Sequence, residues 1–354
     1  MRLERLDRKA ASLRLDLPPH QSSYVDLPES FGRRFTVSID TEEEFDWGKP
    51  FTRGPHGTGH GSRFPDIQRL LGGAGVTPLY LIDYPIADDP RCTEQLREWQ
   101  ERGECDVGTH LHPWVNPPFD EEVNGRNSFA GNLPIELERA KLLRLTDRIE
   151  EALGRRPTVY RAGRYGVGPN SGQLLVDAGY TVDCSVRPHH DYSNEGGPDF
   201  RDIEPRPYWV GEGDLLQVPL TVGFTGLLRS HPELYARSRG IPRAHGVLAR
   251  AHLLNRVAIS PEGMPLPEVL EALDRLCGDG LRLFSLSFHS PSIEPGHTDY
   301  VRDEKDLRDF HAWWGGVFDY FAAKGIEPAS IGEIAAAAES ARYPETLAPL
   351  RAIG

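Results

Sequence analysis

The residues of this sequence best equipped for chemistry fall in short, closely spaced groups. His110 and His112 flank one leucine in the run His110-Leu111-His112-Pro113-Trp114. Asp40 and Glu42 have the same separation, and Glu42 opens a run of three glutamates. Pro113 biases His112 away from helical backbone toward an extended one. In an extended chain, residues two apart face the same side. Both imidazoles can therefore point into one space while Leu111 points away. Two imidazoles and a carboxylate, with coordination positions left for water, make a standard catalytic zinc site. The same donors suit non-haem iron, so they do not by themselves name the metal. Each group also has an ordinary reading: a solvated glutamate loop, a helix cap at Asp40, a plain ion pair at Arg161, a satisfied core histidine at His289.

Position separates these readings. Residues 35–40 (FTVSID) are a β-rich run that delivers Asp40 and Glu42, and residues 105–109 form a short strand before His110. Residues 158–161 (TVYR) end on Arg161, and residues 281–288 (LRLFSLSF) run into His289. Further strands are expected at 77–83, 180–184 and 215–220, and helices at 66–71, 92–102, 133–153, 169–178, 266–277, 303–324 and 331–340. Gly154, Gly179 and Gly325 supply stop signals for three of these helices. Strands separated by helices imply parallel pairing and an α/β architecture. A closed barrel and an open doubly wound sheet fit that alternation equally. In a parallel barrel, loops at the C-terminal strand ends converge on one bowl, and four ionisable groups fall there. Asp83 and Asp106 are secondary candidates for the same rim.

Residues 1–34 read as a polar leader, 35–340 as one domain with an irregular insertion at about 189–265, and 341–354 as a tail. Within that insertion, 223–262 carries no regular pattern. The stretch 54–62 (GPHGTGHGS) holds His56 and His60; no apolar strand closely precedes it, which favours a mobile lid over a phosphate loop.

Composition narrows the partners. Forty basic and 53 acidic residues give a formal charge of −13, with no dense Lys/Arg cluster, which argues against nucleic acid. The 36 glycines and 30 prolines point to long connections. Cys92, Cys105, Cys184 and Cys277 are far apart, so neither a disulfide framework nor a cysteine zinc site is expected, which fits a reducing compartment. The charged N-terminus lacks the apolar core of a signal peptide. No run of about 18 apolar residues is present, so no transmembrane segment is expected. The protein is read as cytoplasmic.

Taken in order from about residue 35 to about 334, these motifs resemble the polysaccharide deacetylase family, the NodB-homology or carbohydrate esterase type. FTVSIDTEEEF resembles its first motif, DVGTHLHPW its histidine motif, YRAGRYG its arginine motif and LSFHSPS its last motif. HLHPW, LIDYPIA and FHSPSIEPG resemble a less characterised bacterial branch, sometimes linked to surface-polysaccharide gene clusters. The resemblance implies a distorted (β/α) barrel of about seven parallel strands with long loop insertions. It implies metal-dependent hydrolysis of an N-acyl amide, chiefly N-acetyl, on a sugar or polysaccharide precursor. It implies a divalent cation, zinc first, held by Glu42, His110 and His112, with Asp40 as base and His289 as acid. Arg161 would grip Asp40 through a bidentate contact. Trp114, Trp47 and Tyr165 stand beside motifs and are candidates to stack on sugar rings, and Asp83 joins them as a substrate-side residue. Two departures stand out. Adjacent aspartates of the family become Asp40-Thr41-Glu42 here, and the family's second histidine position is Trp114, so His112 takes that part by geometry. The competing classes are a metal-free glycoside hydrolase using Asp40 with a nearby glutamate, a non-catalytic carbohydrate-binding relative, and an iron oxygenase.

Overall fold

The computed structural model describes residues 13–46, 48–54, 56–238 and 244–342 of the 354-residue chain. Strand and helix alternate from β1 (Arg34–Thr41) through α1 (Phe64–Gly73), β2 (Leu79–Ile82), α2 (Tyr84–Asp88), α3 (Pro90–Glu101), β3 (Asp106–Leu111), α4 (Ile135–Leu153), β4 (Val159–Ala162), α5 (Ser171–Asp177) and β5 (Val182–Asp183). Then follow β6 (Tyr208–Val210), β7 (Leu215–Gln217), β8 (Val222–Thr225), α6 (Pro232–Arg237), α7 (Ala244–Arg250), β9 (Asn255–Ala258), α8 (Leu266–Gly278), β10 (Leu283–His289), α9 (Glu304–Lys324), β11 (Glu327–Pro328) and α10 (Ile331–Arg342).

The main sheet runs β10-β1-β2-β3-β4-β5-β7, all parallel, with β6 antiparallel at its far edge. It is a strongly curled half-barrel with seven strands in parallel succession, about the number expected, and the short β11 pairs parallel to β1 off this path. The chain leaving β7 spans its open side. Val218 donates to Asp183, Leu220 to Val186, and Thr221 to Ser285 of β10 at 2.9 Å.

Alternation along the strands sets what each face carries. On β1, Phe35, Val37 and Ile39 join the apolar layer under the helices, as do Phe284, Leu286 and Phe288 on β10. The opposite face has two levels. Its floor is apolar: Leu79, Leu81, Val159, Val182, Leu216 and Leu283 pack with Ile331, Ile334 and Ala338 of α10. Burying each such side chain contributes about 1.5–3 kcal/mol. Above that floor the inward positions turn polar: Ser38, Asp40, His110, Arg161, Ser285 and Ser287. Register brings them level, with Asp40 beside His289 and His110 beside Arg161.

Two elements differ from expectation. The stretch expected to be irregular at 223–262 contains the antiparallel pair β8–β9 and two short helices. These strands are four residues each, too brief for a periodic pattern to register. Asp106 opens β3 at the N-terminal end, remote from the rim, so it leaves the list of site candidates. Residues 13–33 hold two short 3₁₀ turns, and Leu13, Leu15, Val25 and Leu27 are buried against the body.

Lys141 on α4 fixes the loop that follows β3. Its ammonium donates to the carbonyls of Pro113, Asn116 and Pro118 at 2.9, 2.6 and 2.6 Å, and lies 3.0 Å from Glu121. The side chain is fully buried. Lys141→Met strands those acceptors and leaves buried Glu121 with only the more distant Arg53, at 3.6 Å, as a cation. Breaking such a pair costs about 3–5 kcal/mol, which a urea or thermal unfolding measurement should register as a large drop in stability.

Candidate metal centre and active site

The β1 strand ends by sending three consecutive glutamates into three different clusters. Glu42 meets His110 and His112: its Oε2 lies 3.5 Å from His110 Nε2 and 3.3 Å from His112 Nε2. All three residues are buried, with one donor atom each gathered within 4.8 Å. Glu43 accepts from His112 Nδ1 at 2.8 Å and from Trp114 Nε1 at 2.8 Å, while its own backbone N–H donates to Asp83. Glu44 accepts from His60 Nδ1 at 2.9 Å.

The tautomer of His112 follows from these contacts. With Nδ1–H given to Glu43, the Nε2 lone pair points toward Glu42, as a metal-binding imidazole backed by a carboxylate requires. Burial pushes His112 down to about 4 and His110 well below the ordinary imidazole value. Both are therefore neutral donors at pH 7. Burial, with Glu43 and Asp40 nearby, pushes Glu42 well above the usual carboxylate range, and its Oε1 is buried without a partner. A cation answers these demands together: it lets Glu42 ionise, accepts both lone pairs and satisfies the orphaned oxygen. The residues present fit a divalent ion, and softness of the donors admits zinc or iron.

Glycine makes the close packing possible at two points. A Cβ on Gly163 would overlap the His112 ring, and one on Gly57 would overlap the Glu44 carboxylate. The second explains the glycine-rich stretch, which was expected to be a lid. His60 within it is fully buried and bridges Glu44 to Ser290 at 2.8 Å; Ser290 in turn accepts from the Glu42 N–H at 3.2 Å. The stretch is a wall behind the glutamate run.

Asp40 and Arg161 form a buried ion pair beside the triad. The expected bidentate grip is absent. Only Nη1 reaches Asp40, because Nη2 donates to Ser38 and Nε to the Cys184 carbonyl, each at 2.9 Å. Burial alone would raise the Asp40 carboxyl. The charge of Arg161, with His110 and His289, outweighs it and holds Asp40 below its ordinary value. The second Asp40 oxygen faces His289 Nε2 at 3.8 Å.

His289 has a partner that spacing did not signal. Its Nδ1–H donates to Glu262 Oε2 at 2.7 Å, its backbone N–H to Oε1 at 3.0 Å, and Ser292 supports Oε1 at 2.6 Å. Burial lowers His289, but the charge and hydrogen bond of Glu262, with Asp40, win and raise it. The imidazole keeps 18% of its side chain exposed, against 3% for Asp40, so the site opens to solvent on that side.

The other candidates scatter. Trp114, expected as a sugar platform, is buried; it stacks on His112 at 4.3 Å and packs at a tilt against Phe51 at 4.5 Å. Asp83 is fully buried, caps α2 through Ile86 N–H and takes the Glu43 N–H, so it does not face the bowl. Tyr165 does line the bowl, near His289. Trp47 lies outside the described residues.

Comparison with solved structures fixes the fold. A candidate polysaccharide deacetylase from Mycobacterium smegmatis superposes with a TM-score of 0.51 at 16% identity, over 92% of this chain and 96% of that one. The chain has the polysaccharide deacetylase fold. Deacetylase-fold matches extend to a family 4 carbohydrate esterase from Streptomyces lividans in complex with acetate (TM-score 0.42, 10% identity, 84% and 93% covered). They also include the peptidoglycan deacetylase PdaC from Bacillus subtilis (TM-score 0.40, 11% identity, 89% and 96% covered). No family model and no curated protein matches the sequence. All four cysteines are free and buried within this deacetylase fold, and no helix among the described residues is long and apolar enough to cross a membrane.

Proposed function

We propose that the protein is a metal-dependent deacylase that hydrolyses the N-acyl amide, chiefly N-acetyl, of a sugar or saccharide precursor. The observation that carries this reading is the convergence of Glu42, His110 and His112 beside the Asp40–His289 pair. Glu42, His110 and His112 would hold the cation, zinc first. Bound there, it supplies Lewis-acid polarisation of the acyl carbonyl and a water acidic enough to attack at neutral pH.

The chain's own groups do the proton chemistry. Asp40, kept ionised by Arg161, accepts the proton of the attacking water. His289, kept protonated by Glu262, delivers a proton to the departing nitrogen, because an amine leaves poorly until it is protonated. Glu43 orients His112 through Nδ1. The glycoside hydrolase alternative lacks a free acid–base partner for Asp40: Glu42, Glu43 and Glu44 are each engaged by histidines.

The test is metal analysis of the purified protein alongside acetate release from a panel of N-acetylated sugars, with and without chelator. The expected result is about one metal per chain and release that chelator abolishes and added zinc restores. Chelator-insensitive release, or sugar binding with no release, would sink the reading.

The Glu262–His289 contact carries a pH prediction. Glu262 raises His289, so the protonated acid persists to a pH above the ordinary imidazole value and is lost as pH rises through it. Removing the charge in Glu262→Gln lowers the His289 pKa. The alkaline limb of the kcat/KM profile should then move to lower pH, with the acid limb in place.

A further inference from the structure

Arg187 lies just past β5, in the chain that leaves the rim. It lines a cavity of about 40 Å³ together with His289, Tyr165, Tyr300, Ser285, Ser287 and Glu262, whose two carboxylate oxygens are taken by His289 and Ser292. Other arginines near the bowl are neutralised: Arg161 by Asp40, Arg164 by Glu195, Arg201 by Asp199. Arg187 is not. Among the described residues no carboxylate comes within ion-pair distance of it, and its Nε is shielded from solvent without a hydrogen-bond partner. Its guanidinium sits over the Tyr165 ring at 5.4 Å, with the Tyr192 and Tyr300 phenols close by and Tyr192 placed as a hydrogen-bonding neighbour. Arg187 is half-buried, and a partly desolvated guanidinium with no carboxylate in ion-pair range is left with unmet demand for a counter-charge. The arrangement is resolved when a ligand brings the counter-charge.

We propose that Arg187 and this cavity bind a carboxylate of the substrate, so that the preferred substrate is an N-acylated sugar acid rather than a neutral sugar. The inference rests on the deacylase reading of the same bowl. Three observations define the ligand. The guanidinium fork matches a flat carboxylate with two parallel hydrogen bonds. The cavity volume suits a group of a few heavy atoms. His289 borders the same cavity, so the charge sits within about one sugar ring of the nitrogen that His289 protonates.

The experiment compares matched pairs on the metal-loaded protein: 2-acetamido-2-deoxyhexuronic acids against the corresponding 2-acetamido-2-deoxyhexoses, and the 3-O-lactyl derivative against its parent. N-acetylglucosamine 6-phosphate tests for a phosphate site. Acetate release and calorimetric binding are both read. In one acid–neutral pair, the acid should be favoured at least about tenfold, the scale of a charge-assisted contact. In Arg187→Met that preference should collapse through KM and Kd. Arg187→Lys, which keeps the charge and guards against a folding artefact, should retain part of it.

Equal handling of acid and neutral partners in every pair, no heat from any acid, a stronger preference for the phosphate, or a preference that survives Arg187→Met each overturns the subsite. Selective, Arg187-dependent binding of the acid with no acetate released supports the subsite and instead removes the deacylase reading.

Discussion

Asp40→Asn is expected to lower kcat/KM by about a thousandfold, within the range general-base catalysis supplies, while leaving metal content unchanged. The separation of these effects follows from geometry. Asp40 faces Arg161 and His289, whereas the proposed cation donors are Glu42 and the two imidazoles. Asparagine keeps an oxygen for Arg161 but has no carboxylate to take a proton. It also leaves Arg161 buried without its counter-charge, so some stability is lost, and a thermal melt must show that the variant is folded at the assay temperature. Turnover within tenfold of the parent protein, with metal bound, would remove Asp40 as the base.

The second large effect concerns the metal. His112→Ala deletes a donor that faces Glu42 at 3.3 Å, and its loss should weaken zinc affinity by more than about a hundredfold in a chelator competition. Glu43→Gln tests the same imidazole from behind. It keeps an acceptor for His112 Nδ1–H but removes the carboxylate, which burial pushes up to about 7, and supporting carboxylates of this kind are worth about ten- to a hundredfold in affinity. The ordering is the prediction: His112→Ala below Glu43→Gln, and both below the parent. Unchanged metal content in His112→Ala would mean that another residue is the ligand.

Much of this site was legible in the sequence because strand ends announce themselves. A β-rich run that stops at an ionisable residue locates Asp40, His110, Arg161 and His289 on one rim, and the two-residue period places Glu42 and His112 beside them. Loop partners gave no such signal. Glu262 closes a stretch with no regular pattern, a helix and a strand separate it from His289, and only the closing of the fold brings them to 2.7 Å. Glu43 and Glu44 were visible, but a run of acids reads as a solvated loop until the histidines behind it are placed. Trp114 shows the reverse error. An aromatic beside a motif can face the bowl or the core, and burial, which one sequence does not reveal, decides for the core. The count of parallel strands was close, missing only the two-residue β11, whereas β8 and β9 were too short to stand out.

The glutamate run has a consequence for how this segment tolerates change. Shortening it to two glutamates would look mild on paper, since charge and composition barely alter. Yet each carboxylate is addressed to its own neighbour, one to the His110–His112 pair, one to Trp114 and His112, one to His60. Deleting a single residue would misdeliver every address downstream of the cut. Side-chain swaps at these positions are therefore separable injuries, while a one-residue frameshift of the backbone is a collective one.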